Sequence, residues 1–208
     1  MADVARELLI IRHGETGHNA RRILQPADTP LSARGHEQAR LLAERLADAG
    51  VRRIVSSDLA RAAETAQALE RQTGISIHWE PLLHERNFGD IRGTAYDDLG
   101  LDPFASDYEP PGGETWTVFR ERVATAWKVV QRHAAETEGN LAVVTHGLVC
   151  RELVAAHLEI PSDVREADFP WPNTCITIAT AAPPWRTRLI ADATHLDSLA
   201  PATPGAAI

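Results

Sequence analysis

Two short, wholly apolar runs, Leu-Leu-Ile-Ile at 8–11 and Leu-Ala-Val-Val at 141–144, each lead into a His-Gly pair. Arg12-His13-Gly14 follows the first, and Thr145-His146-Gly147 follows the second. Four apolar residues without polar alternation mark a strand buried on both faces, and such strands belong to parallel sheets covered by helices. Ligands in open α/β sheets bind at the carboxyl ends of the strands, where glycine lets the backbone turn sharply and approach them. The repeated pattern therefore predicts two histidines facing one crevice.

The rest of the chain alternates in the same way. Ser32 caps a predicted helix running to about residue 49, with Ala39, Leu42, Ala43 and Leu46 on one face and Gly50 beyond its end. Residues 54–55 form a second strand. A helix from Asp58 to about 72 carries Leu59, Ala62, Ala63, Ala66 and Leu69 at helical spacing and stops at Gly74, before a third strand at 75–79. Residues 81–113, with Pro103, Pro110 and Pro111, lack periodicity, and irregular segments this long are usually lids or binding loops. A helix over 114–137 carries an apolar stripe of Trp116, Phe119, Val123, Trp127 and Val130. A strand at 141–145, a helix at 149–158, a Pro-rich connector and strands near 174–180 and 188–191 complete the pattern. The expected fold is three-layer α/β/α with a mostly parallel central sheet. One domain over 1–196 and a flexible tail at 197–208 are expected.

Composition narrows the function. The 208 residues are 44% hydrophobic and 24% charged, which excludes disordered, collagen-like and disulfide-scaffold classes. The net charge of −8 and the absence of a basic block argue against nucleic-acid binding. Lys128 is the single lysine, so positive charge rests on arginine, the planar fork suited to phosphate and carboxylate. Neither a P-loop nor a G-x-G-x-x-G motif is present. Cys150 and Cys175 lie in apolar company and read as buried free thiols. His18, His36, His78, His133, His157 and His195 show no metal-ligand spacing, so neither metal nor cofactor is expected. The N-terminus lacks the apolar stretch of a signal peptide, and no run approaches the ~20 residues that span a bilayer, so a cytoplasmic location without membrane association is expected. The sequence leaves the oligomeric state open.

Arg12 and His13 end the first strand, His146 ends the fourth, and Arg61 lies in the first turn of a helix, where free N–H groups already favour an anion. Together they suit a tetrahedral oxyanion, and a neutral imidazole is a competent nucleophile toward phosphorus. The leaving alkoxide then needs a proton donor. Glu85, at the start of the irregular stretch, fits if phosphate and desolvation raise its pKa. A surface ion pair with Arg86 or Arg92 is the competing reading. Glu15 and Glu114 are expected to fix the motif loop and a helix start, and Trp171 either walls the crevice or packs the connector.

Six ordered segments resemble the histidine phosphatase superfamily, in its phosphoglycerate-mutase-like branch. They are Arg12-His13-Gly14-Glu15-Thr16 with Asn19, the 29–39 segment, the 56–66 segment, Glu85 with Phe88-Gly89 and Gly93, 111–115, and Val144-Thr145-His146-Gly147. The resemblance spans about 8 to 191. It implies a phosphoglycerate mutase-like fold, His13 as the phosphorylated nucleophile, Arg12, Arg61 and His146 as the phosphate pocket, and Glu85 as proton donor and later base. It also implies Asn19 as a further phosphate contact, Thr16 as a weaker one, and Asn173 as a neighbour of the pocket.

The family divides between mutases and phosphatases. Mutase-like members carry basic residues after the catalytic glutamate that hold the glycerate carboxylate. Between Gly93 and Gly113 this chain has none, and carries Asp97, Asp98, Asp102, Asp107 and Glu109 instead, leaving Arg86 and Arg92 as possible carboxylate contacts. The expectation is a metal-independent phosphomonoester hydrolase acting through phosphohistidine on a small-molecule phosphate ester. A phosphoglycerate mutase is the nearer alternative, and a non-catalytic phospho-ligand binding module the more distant one.

Overall fold

The computed structural model describes residues 6–199. Six strands form one sheet: β1 (Glu7–Arg12), β2 (Val51–Ser56), β3 (Ile77–Trp79), β4 (Asn140–Thr145), β5 (Ile176–Thr180) and β6 (Thr187–Asp192), in the order β3-β2-β4-β1-β5-β6. Strands β3, β2, β4 and β1 run parallel, while β5 and β6 pair antiparallel on the β1 side. The mostly parallel arrangement agrees with the sequence pattern.

Burial on both faces is what the apolar runs require. Along β1, Leu9 and Ile11 pack on one side with Ile54, Val144, Leu42 and Leu69. Leu8 and Ile10 pack on the other with Val143, Phe119, Val130 and Leu153. The first side is covered by α2 (Ala33–Leu46) and α3 (Ala60–Thr73), the second by α4 (Trp116–Glu136) and α5 (Gly147–His157), which gives three layers. The parallel register sets Arg12 against Thr145, so His13 and His146 leave the sheet side by side.

Boundaries differ from expectation where side chains find other partners. Ser32 caps α2 by accepting from the Gly35 N–H, but the helix ends at Leu46, and a turn carries the chain to Gly50 at φ +65°. Helix α3 starts at Ala60, two residues later than expected, because the Asp58 carboxylate pairs with His84 instead of capping. Arg61 still falls in the first turn. A one-turn helix, α1 (Gly17–Ala20), was not foreseen; Thr16 and Asn19 cap it reciprocally. Of the α4 stripe, Phe119, Val123, Trp127 and Val130 are buried, whereas Trp116 is partly exposed and donates to the Ala105 carbonyl. Residues 197–199 of the expected tail continue a turn after Leu196, and 200–208 lie outside the described residues.

The segment from 81 to 113 is irregular but firmly held. Arg86, buried, donates to the carbonyls of Glu114, Pro103 and Tyr108 and stacks 4.1 Å above the Trp116 ring. Each guanidinium nitrogen thus donates to a main-chain carbonyl, so Arg86 holds this segment in place while also lining the cleft beside Glu85. Glu114 accepts from the Asn87 N–H and pairs with Arg122, tying the segment to α4. Cys150 and Cys175 are both free and buried.

Backbone also touches backbone where α2 meets the loop after β1. A Cβ on Gly35 would lie 2.0 Å from the Glu15 carbonyl oxygen. Helix propensity alone favours Gly35→Ala by about 1 kcal/mol. The close approach reverses the sign, and overpacking costs on the order of 1–3 kcal/mol. Urea denaturation is expected to show Gly35→Ala less stable than the parent, and a gain in stability would contradict this packing.

Candidate active site

Strand ends and helix starts converge at the carboxyl edge of the sheet. The chain leaves β1 through Arg12 and His13, and the Thr65 hydroxyl of α3 holds the turn by accepting from the Gly14 N–H at 3.0 Å. The His13 N–H donates to the Thr145 carbonyl, which fixes the first histidine against the strand that carries the second. His146 caps the start of α5, and its ring lies 5.1 Å from that of His13, centroid to centroid.

His13 Nδ1 lies 2.7 Å from the Gly14 carbonyl oxygen. A carbonyl only accepts, so Nδ1 carries the hydrogen and Nε2 keeps its lone pair. Burial, then Arg61 and Arg12, hold the His13 pKa well below the ordinary imidazole value, so the ring is neutral at pH 7. His146 is depressed in the same way, first by burial and then by Arg61, and its Nε2 sits 2.8 Å from the Ser57 hydroxyl.

Arg12 is completely buried. Its Nη1 donates to the Trp171 carbonyl, while Nε and Nη2 have no protein partner. Arg61 donates from Nη1 to the Pro26 carbonyl, and its Nε is likewise buried without a partner. Burial lowers the Arg61 pKa to about 10, which leaves it charged at pH 7. Buried donors without acceptors cost on the order of 1–3 kcal/mol each, more when charged, so the arrangement is suited to an anion with several acceptor oxygens.

Glu85 follows a short 3-10 turn, Pro81–Leu83. One carboxylate oxygen accepts from the Arg86 N–H and the other from the Leu148 N–H in the first turn of α5. These bonds and the arginines favour the charged form, but desolvation outweighs them and raises the pKa. The surface ion pair considered for Glu85 does not form. Glu85 and Arg61 instead line a cleft together with Arg86, Arg92, Phe88, Tyr96 and Phe104.

The remaining expected contacts sit around this centre. Asn19, buried in α1, accepts from the Thr16 N–H and from Asn173 Nδ2. The Thr16 hydroxyl receives the Asn19 N–H and donates to Gln25. Asn173 Nδ2 also donates to the His13 carbonyl at 3.0 Å. Glu15 accepts from the Ser32 hydroxyl and forms an ion pair with Arg34 at 3.5 Å, which fixes the motif loop as expected. Trp171 is buried in the core, in line with packing.

Sequence reasoning missed the clamp at 171–174. Trp171 and Thr174 adopt positive φ, +48° and +58°, and there the Trp171 carbonyl receives Arg12 while the Thr174 N–H donates to the His13 carbonyl. His195 braces this clamp: its Nε2 lies 3.0 Å from the Thr174 hydroxyl and its Nδ1 3.2 Å from Arg45. Burial and Arg45 lower the His195 pKa to about 4, so it is a neutral partner. Only the turn-like Pro172-Asn173 pair hinted at this from sequence.

Comparison with known proteins gives a consistent result. The sequence profile of the histidine phosphatase superfamily (branch 1) matches residues 8–184. The chain is 35% identical over 161 residues to phosphoglycerate mutase-like protein 4 of Arabidopsis thaliana, covering 71% of this chain and 69% of that protein. It is 28% identical to the "Probable phosphoglycerate mutase GpmB" of Serratia proteamaculans, over 92% of this chain and 95% of the relative. Among solved structures, a mycobacterial glucosyl-3-phosphoglycerate phosphatase complexed with VO3 superposes with a TM-score of 0.77 at 28% identity, over 90% of this chain and all of that one.

The buried neutral histidines have a consequence for stability. The unfolded chain protonates near pH 6.5, whereas His13 and His146 resist protonation in the fold. Their contribution is intact above pH 6.5 and is lost as pH falls toward their lower folded values, at up to about 1.4 kcal/mol per pH unit for each ring. Urea denaturation between pH 7.5 and 5 is expected to show this decline. It should be shallower in a His13→Gln/His146→Gln protein, and an unchanged slope would refute the buried neutral pair.

Proposed function

The chain belongs to the histidine phosphatase superfamily, and we propose that within it the protein is a phosphomonoester hydrolase that works through a phosphohistidine on His13 and requires no metal. The observation that carries this reading is the pairing of a free His13 Nε2 with buried, partnerless N–H groups of Arg12 and Arg61. The arginines and His146 hold the phosphoryl oxygens and stabilise charge on them as His13 Nε2 attacks phosphorus in line. The P–O ester bond breaks, and protonated Glu85 gives its proton to the leaving oxygen. Water then attacks the phosphohistidine, Glu85 takes the water's proton, and the P–N bond electrons return to Nε2 as phosphate leaves.

Hydrolysis is favoured over mutase action by the side chains around the cleft. A glycerate carboxylate needs several cationic partners, yet the 94–113 segment contributes no basic residue and Arg86 donates to three carbonyls, which leaves Arg92 at the exposed rim of the cleft as the remaining candidate. The phosphatase relative solved with VO3 supports the same choice.

Phosphorus NMR in EDTA, with a mixture of phosphomonoesters including 3-phosphoglycerate, tests the reading. Inorganic phosphate is expected from the intact protein and none from His13→Ala. Isomerised 3-phosphoglycerate without phosphate release would establish a mutase, and loss of activity in EDTA that added metal restores would overturn metal independence.

Glu85→Gln should slow alkyl phosphates about 10²–10⁴-fold, the usual worth of a positioned acid or base. With p-nitrophenyl phosphate, whose leaving group needs no proton, the variant should give a stoichiometric burst followed by slow turnover. Undiminished alkyl phosphatase activity would remove Glu85 from the mechanism.

A further inference from the structure

The cleft above Glu85 and Arg61 has an unusual wall for a site that must accept the alcohol half of a phosphate ester. Phe88, Tyr96 and Phe104 form a locked trio, with Phe104 edge-on to Phe88 at 5.7 Å and 81° and edge-on to Tyr96 at 5.4 Å and 85°. Leu24, Leu59 and Leu148 complete the apolar lining. Burial raises the Tyr96 pKa, so its ring is a neutral part of this wall. The arrangement is held from behind by Arg22 over the Tyr96 ring and by Arg86 beside the Phe88 ring.

Polar groups able to recognise hydroxyls are scarce there. Glu85 is the only carboxylate lining the cleft among the described residues, and both its oxygens already receive backbone N–H groups. Gln25 Oε1 receives the Thr16 hydroxyl, Arg86 donates to carbonyls, and Arg92 at the exposed rim offers donors but no acceptor. The five acidic residues of the 94–113 segment all face solvent instead. A polyhydroxylated alcohol entering this cleft would lose water without finding acceptors, and buried polar groups left unpaired are what a site discriminates against most strongly.

Resting on the phosphatase reading, we propose that this cleft is an aromatic-walled subsite that selects phosphomonoesters of apolar alcohols, ring-bearing ones foremost, over those of polyhydroxylated alcohols. Tyr96 and Phe104 are its specificity-determining residues. Both lie in the segment that looked merely acidic in sequence.

Benzyl phosphate and glycerol 3-phosphate test this, because both release primary alkoxides and differ chiefly in what the wall must hold. The parent protein is expected to favour benzyl phosphate at least tenfold in kcat/KM, mainly through KM. Phe104→Ala and Tyr96→Ala should each collapse that ratio at least fivefold, while Tyr96→Phe, which keeps the ring, should preserve it. A ratio at or below one in the parent, or a ratio unchanged in both alanine variants, would overturn the proposal. Calorimetric Kd values for benzylphosphonate and 2,3-dihydroxypropylphosphonate give the same comparison without turnover. If neither ester is hydrolysed, the phosphatase reading fails by itself, and the phosphonate ratio, tenfold or absent, decides for or against the subsite.

Discussion

The burial of Arg12 at the end of the central strand is the constraint on which the rest of the structure depends. A guanidinium with no exposed surface holds its charge only where acceptors compensate for lost water, and the fold supplies one of them, the Trp171 carbonyl. Its Nε and Nη2 are left without a protein acceptor, and burial, with Arg61 and this same cation adding to it, holds the His13 ring neutral. One strand end thus shapes both the positive charge of the site and, with burial, the protonation state of its proposed nucleophile. Lysine would not substitute, since a point charge cannot present donors at fixed angles to a carbonyl and a phosphoryl group together.

Rigidity around that centre comes from main-chain contacts. Parallel register delivers His13 and His146 together, the Thr65 hydroxyl fixes the turn at Gly14, and Gly35 lets α2 approach the Glu15 carbonyl where no side chain would fit. The 171–174 clamp adopts left-handed conformations at Trp171 and Thr174, which are costly for bulky and β-branched residues. Each positive φ turns a backbone group toward Arg12 or His13, and His195 holds the clamp from behind. Strain there is tied to precise placement of the candidate nucleophile.

These physical reasons also explain what was legible beforehand. The strands ending in His-Gly were visible because double-sided burial leaves an uninterrupted apolar run, and Arg61 was visible because its helix shows clear periodicity. Glu85 was ambiguous on spacing alone, since its raised pKa depends on desolvation by elements distant in sequence, and the family resemblance carried that assignment. The 171–174 clamp and His195 were invisible because their contacts with His13, Arg12 and Arg45 span more than a hundred positions and use backbone atoms that every residue possesses. The structural part of Arg86 was hidden for a related reason: its acceptors are carbonyls of a loop whose path no periodicity reveals.

Desolvation acts in opposite senses on the two groups that would exchange roles in the reaction. Burial disfavours charge, so it lowers the pKa of His13 and raises that of Glu85, which biases the first toward its free base and the second toward its acid form. The arginines reinforce the first shift and oppose the second, and the second survives because desolvation is its largest cause. A phosphoryl dianion entering the pocket would offset the arginine field felt by Glu85 and so favour its protonated form. Substrate binding would in this way help prepare the acid that substrate cleavage requires, using charge the substrate itself brings.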